Sequence, residues 1–222
     1  FTIKVCPQVS HNIIAGALVS APAAHLIARA VDPGVSAVLT YVGGAITLAA
    51  EQQPILMGLL LGGMTKIICT APLSSMALTA MLGLTGLPMG IASIACVGGA
   101  ASNGVVFKRM GYGDNSNVIA VMLEPLTQAV IVTSHPLTVY SGSFVGGGLA
   151  GVAAAALGIV NNAPGTASPI PGLLAPFAFN DPARVLAALA IAIPAGAAGG
   201  FVVSEFFRRL HGRENGDQRP LL

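Results

Sequence analysis

A succession of apolar segments almost free of charge, each interrupted by glycine or proline, constrains this chain more than any other feature. Residues 55–70 read ILMGLLLGGMTKIICT, enough at about 1.5 Å per residue to cross most of a bilayer. Residues 183–207 form another such run, long enough to cross despite Pro194. Only 8% of the 222 residues are charged and 54% are hydrophobic, with a mean hydropathy of +0.80, whereas a soluble domain carries about a quarter charged residues. The expected fold is an all-α integral membrane protein, a multi-span helical bundle embedded in lipid. Its 28 glycines and 15 prolines predict close-packed helices, some of them broken, and re-entrant hairpins. A transmembrane β-barrel would need alternating segments and aromatic girdles, and this chain has no Trp and 5% aromatics.

Along the chain, residues 10–31 are apolar but carry Pro22, His25 and Arg29, which suits a broken or membrane-edge helix. Residues 35–50 form a second short segment, closed by Glu51-Gln52-Gln53 before Pro54. Residues 71–101 contain Pro72, Gly83, Gly86, Pro88 and Gly90 and predict two half-length helices meeting at residues 84–88 as a re-entrant hairpin. The polar stretch 102–117 predicts an exposed loop. Residues 118–133 are interrupted by Glu124, Pro125 and Gln128. Residues 137–160 predict a Gly/Ala-rich span, followed by NNAPGTASP, which cannot stay helical. Asp181-Pro182 opens the last helix with a capping side chain and an N1 proline.

Residues 1–207 therefore constitute one transmembrane domain, and residues 208–222 a polar, disordered cytoplasmic tail. The chain starts at Phe1 without Met and without a signal-peptide pattern; if the true N-terminus is missing, one or more spans could lie upstream, and a helix count is a lower bound. The positive-inside rule places Arg208-Arg209 and Lys108-Arg109 on one side, the cytoplasmic one. An even number of crossings must then separate them, which makes residues 118–133 or 161–179 re-entrant.

The net charge of +2 is too small and dispersed for a nucleic-acid footprint. Cys6, Cys69 and Cys96 lack CxxC spacing and lie in apolar surroundings, reading as buried thiols rather than disulfides or metal ligands. No Ser-His-Asp order, GxSxG elbow or paired carboxylates suggest catalysis, and no pattern calls for a metal or cofactor. Gly146-Gly147-Gly148 lies inside an apolar span and reads as close helix packing, and His135 as structural or interfacial.

The candidate residues for binding a small polar solute sit at breaks within apolar segments. Glu124 is either an ionisable group at membrane depth beside a proline, where such a group faces a cavity, a substrate or a partner, or a residue at the membrane edge capping a helix. Gln128 follows one turn later. Lys66 could pair with Glu124 or attract an anion, but its place near a segment end favours snorkelling to the interface. Asn161, Asn162 and Thr166 belong to a non-helical loop that is either the floor of a pocket or extramembrane. Ser74 and Ser75 follow the break at Pro72, where a half-helix could present its positive end, or simply cap it.

The run APLSSMALTAMLGLTGLPMGIASIACVGGAASNGV at 71–105 and the later NNAPGTASPIPGLLAPF at 161–177 resemble the enzyme IIC-like membrane proteins of the bacterial phosphotransferase system. The first follows a PxSSxALxxxLGLxGLxxG pattern, the second a GT-containing loop, and the resemblance spans residues 54–207. It implies a homodimeric inner-membrane carrier that moves a sugar or similar solute through a pocket of re-entrant hairpins by elevator-like displacement. Separate phosphocarrier subunits would supply any phosphoryl group. Members often hold sugar with a Glu-containing loop, and Glu124-Pro125 is its counterpart here, without the usual preceding Gly-Ile-Thr. The alternative is a membrane sensor that keeps the carrier fold without transport.

Overall fold

In a computed structural model, residues 7–217 are described, and all their regular structure is helical. Cys6, Arg219 and the last tail residues lie outside the described residues. The helices are α1 (Pro7–Gln52), α2 (Pro54–Thr70), α3 (Ser75–Met81), α4 (Gly86–Met110), α5 (Asn115–Leu123), α6 (Ala129–Ser134), α7 (Pro136–Ala156), α8 (Pro169–Leu174) and α9 (Pro182–Asp217), with 3-10 turns at Pro125–Gln128 and Ala175–Ala178. Four stretches, Asp32–Gln52, Gly86–Met110, Pro136–Ala156 and Pro182–Leu210, are long and apolar enough to span a membrane. Shorter apolar helices occupy Pro54–Thr70 and Pro169–Ala178.

The core is a bundle of α2, α4, α7 and α9 in which backbone meets backbone. Along the seam between α2 and α7, Gly58 faces Gly151 and Gly62 faces Gly147, two GxxxG pairs running antiparallel. Between α4 and α9, Gly98 faces Gly196 and Ser102 faces Gly200, in parallel. A Cβ on Gly58 would stand 2.7 Å from the Gly151 carbonyl oxygen, and one on Gly200 2.5 Å from that of Ser102. Without side chains at these points the helices approach to dispersion contact, the main attraction left where lipid removes any hydrophobic gain from association. Ile91, Ile94, Ala150, Ala154, Val185 and Ala192 fill the remaining space.

Several boundaries differ from the sequence expectation. Residues 10–31 and 35–50 are joined in one helix, α1, which runs through Pro22 and Pro33 with both prolines on an exposed face; helices in lipid accommodate such breaks. The expected pair of half-helices in 71–101 resolves into a short α3 and a full-length α4. Pro88 sits in the first turn of α4, where its missing N–H had no intrahelical partner to lose. The expected loop at 102–117 is helical as far as Met110 and again from Asn115. Ser102 and Asn103 are fully buried, and their polarity serves interhelical hydrogen bonds rather than solvent. At the C-terminus α9 continues past Arg208-Arg209 to Asp217 instead of ending there.

The two basic clusters share one end of the bundle. Arg109 donates to Ser204 Oγ (2.9 Å) and Glu205 Oε2 (2.7 Å), and its guanidinium lies 3.8 Å above the Phe201 ring.

Candidate functional site

Two segments enter the bundle and turn back. The first begins at the Arg109 end, where Lys108 donates to Asn115 (2.7 Å). Asp114 and Asn117 form a reciprocal capping box that starts α5. Helix α5 carries Met122 against Gly104 and ends at Glu124, because Pro125 cannot continue the hydrogen-bond ladder. The chain then returns through the 3-10 turn and α6 to His135, whose ring stacks on Tyr112 at 4.0 Å. His135 is thus a structural contact, as its surroundings in sequence suggested.

The second segment enters from the opposite end. Its mouth is closed by Asn180, which accepts from Val160 N (2.9 Å) and donates to Val160 O (2.6 Å). From there the chain penetrates until Ala167 is fully buried among Cys69, Leu84, Met89, Ala92 and Cys96, and α8 leads it back, with Gly172 against Ser93. Both interrupted segments named by the parity argument are therefore re-entrant, and two crossings, α7 and α9, separate the basic clusters.

Where the tips converge lies a cleft of about 170 Å³ lined by Cys69, residues 73–76, Glu124, Leu126 and Ser168. Glu124 is exposed at the tip, and among the described residues only its backbone finds partners, N–H to Ala120 and C=O to Thr127. Ser74 accepts from Ala77 N (3.1 Å) as the cap of α3. Ser75 is buried and donates to Ala167 O (2.6 Å), tying α3 to the second re-entrant segment. Of the candidates, the fold brings Glu124, Ser74 and Ser75 to one cleft.

The others are placed elsewhere. Gln128 accepts from Asn117 (2.7 Å) and braces the first hairpin. Asn161 is fully buried and saturated: its amide donates to Ser93 (2.8 Å) and Thr166 (2.7 Å), and its oxygen accepts from Ala163 N (2.9 Å). Thr166 in turn donates to Ala163 O (2.9 Å), and Asn162 accepts from Gly86 N (3.1 Å). These three side chains shape the loop. Lys66 does not snorkel. It has no exposed surface, because α4 and α7 cover it and the segment end predicted to be near the interface lies inside the bundle.

Sequence reasoning missed Ser168, whose role depends on where the loop folds back, and the buried set Thr70, Asn103 and Ser143. Ser143 donates to Asn103 Oδ1 (2.8 Å), and Asn103 donates to Thr70 Oγ1 (3.0 Å). Their spacing at 33 and 40 residues carries no local signal.

Long apolar helices around re-entrant segments whose tips meet at a cleft lined by serines, a carboxylate and apolar side chains fit the class of membrane proteins that handle solutes within the bilayer. A family model described as "Phosphotransferase system, EIIC" matches residues 2–219, and the chain belongs to that family of sugar-specific membrane permeases. The resemblance read from residues 71–105 and 161–177 thus extends over nearly the whole chain. No curated protein and no solved structure matches it.

Proposed function

We propose that the chain is a carrier that holds a small polar solute, a sugar or related metabolite, in the cleft between the two hairpin tips and translocates it across the bacterial inner membrane. One observation carries this reading: a carboxylate without a hydrogen bond among the described residues, Glu124, stands at a break in an apolar segment, facing Ser74, Ser75 and Ser168 across one cleft. An acceptor so placed binds the hydroxyls of a solute that has shed its water. Ser74 and Ser168 add short polar groups, while Leu73, Met76 and Leu126 supply apolar contact for the face of a ring. Asn161, Asn162 and Thr166 hold the second hairpin in position, and Gln128 holds the first. Both tips end on short elements, so displacement of the hairpins against the glycine-packed bundle would carry the cleft from one side to the other, the elevator-type movement that the family resemblance suggests. A homodimer, a cytoplasmic C-terminal tail and separate phosphocarrier subunits belong to the same reading.

The test is a thermal-shift screen of the detergent-purified chain against sugars, sugar phosphates and organic acids, since a ligand bound only by the folded state raises its apparent stability. We expect a specific hit that weakens at least tenfold in Glu124→Gln, about 1.4 kcal/mol of binding, while the unliganded melting temperature stays put because the side chain is exposed. The absence of a hit in all three classes, or a hit indifferent to Glu124→Gln, would overturn the reading and favour a sensor that keeps the fold without transport.

A further inference from the structure

Lys66 is the one buried side-chain polar atom among the described residues that lacks a hydrogen-bond partner: its Nζ is enclosed and unpaired. The bundle nevertheless makes room for it. A Cβ on Gly99 of α4 would come within 2.6 Å of Lys66 Cδ and 2.9 Å of Cε, and one on Gly147 of α7 would stand 3.0 Å from Cγ. Two glycines on two helices thus form a slot for the lysyl stem, and alanine at either would obstruct it. Among the described residues no polar group accepts a hydrogen bond from the Lys66 Nζ. Thr70 donates to the carbonyl of Lys66 itself (2.9 Å), and Asn103 and Ser143 pair with Thr70 and with each other.

A basic nitrogen enclosed without an acceptor is strongly unfavourable, and an anion is the partner that relieves it most. Glu124 does not fill that place in this structure. It is exposed at the hairpin tip instead. The cleft is close by, however: Cys69, one turn further along α2, lines it. Three residues correspond to about 4.5 Å along the axis, within the swing of a four-carbon stem.

We infer that Lys66 recognises an oxyanion on the transported solute, so that the substrate class is an acidic polyol, a sugar bearing either a carboxylate or a phosphate. This rests on the cleft reading above and deepens it. Glu124 and the serines take the hydroxyls at one end of the solute, and the Lys66 Nζ, moving along its slot, takes the oxyanion at the other. A neutral sugar would leave the lysine as orphaned as it is without ligand.

Binding of gluconate, glucose 6-phosphate and glucose to the detergent-purified full chain, wild type and Lys66→Met, decides the matter. We expect gluconate or glucose 6-phosphate to bind the wild type at least tenfold more tightly than glucose, and whichever anion binds identifies carboxylate or phosphate as the partner. Lys66→Met keeps the stem in its slot and removes the unpaired nitrogen, so it should melt higher than wild type and bind the anion at least tenfold more weakly. Anion binding unchanged in Lys66→Met overturns the inference, as does glucose matching or exceeding both acids on the wild type, a comparison that needs no variant. Glucose bound in a Glu124-dependent manner leaves the cleft reading standing while this one fails; no binding by any of the three probes defeats the oxyanion inference, and the wider screen then judges the cleft.

Discussion

The seams of the bundle and the lining of the cleft use the same few residue types to opposite ends. Where α2 meets α7 and α4 meets α9, glycines face glycines, and the polar side chains Thr70, Asn103 and Ser143 are turned towards each other. Around the cleft the helices are short, α3 with 7 residues and α8 with 6, and Glu124 keeps a carboxylate free of the protein. In lipid, association depends on packing and interhelical hydrogen bonds, so a region that satisfies everything internally is scaffold. A region that leaves polar groups unsatisfied beside a cavity is available for a ligand. Lys66 belongs to the first region by position and to the second by its unpaired nitrogen.

The comparison breaks first at the seams. Gly151→Leu would drive a side chain into the Gly58 carbonyl and the Gly62 backbone of α2, and neither a helix backbone nor a facing glycine can yield. Overpacking against side chains costs about 1–3 kcal/mol; against backbone we expect more, read as loss of monodisperse protein in detergent at ordinary yield. If Gly151→Leu purifies and melts like wild type, the seam is not what holds the bundle.

An intermediate effect is expected at the hairpin that faces the cleft. Asn161→Ala removes two donated hydrogen bonds and leaves Ala163 N–H without its acceptor. Unsatisfied buried groups cost about 1–3 kcal/mol each, so a loss of roughly 2–3 kcal/mol is expected in total stability. Because these bonds fold the loop rather than the bundle, hydrogen exchange should accelerate at residues 160–168 before it does in α4. Uniform acceleration across both would show that scaffold and hairpin are one cooperative unit.

The sequence displayed these regions unevenly. The first hairpin tip and the start of α9 were legible because proline is a local signal: Pro125 must end α5 at Glu124, and Asp181-Pro182 must start α9, where Asp181 does accept from Ala183 N at 2.8 Å. The parity of the basic clusters then required a re-entrant segment between them. The depth of a polar residue was not legible. Ser102-Asn103-Gly104 has the composition of a turn, yet α7 supplies the Gly142 carbonyl to Ser102 (2.7 Å) and Ser143 to Asn103, partners some 40 residues away. Lys66 was misplaced for the same reason: its burial depends on Gly99 and Gly147, which a reading of α2 alone does not contain. Pro88 looked like a break because its position relative to the start of α4 follows from Gly86, whose φ of 64° sets the turn before it.

The smallest effect is expected where the bundle meets water. Arg109 links α4 to α9 through Ser204, Glu205 and the face of Phe201, and Arg209 shares the same carboxylate at 2.9 Å. The Arg109 side chain retains 23% exposure and that of Glu205 34%, so solvent screens the pair and its contribution falls in the range of about 0–1 kcal/mol. Arg109→Lys keeps the charge but cannot donate to serine and glutamate in one planar geometry or lie flat on the ring. We expect a decrease below about 1 kcal/mol, shrinking further in high salt, and smaller than that of Asn161→Ala under the same detergent conditions. A loss equal to or larger than the Asn161→Ala value would move the weight of the fold from its glycine seams to this polar end, and α4 and α9 would then be held by their clamp rather than by the contact of Gly98 with Gly196.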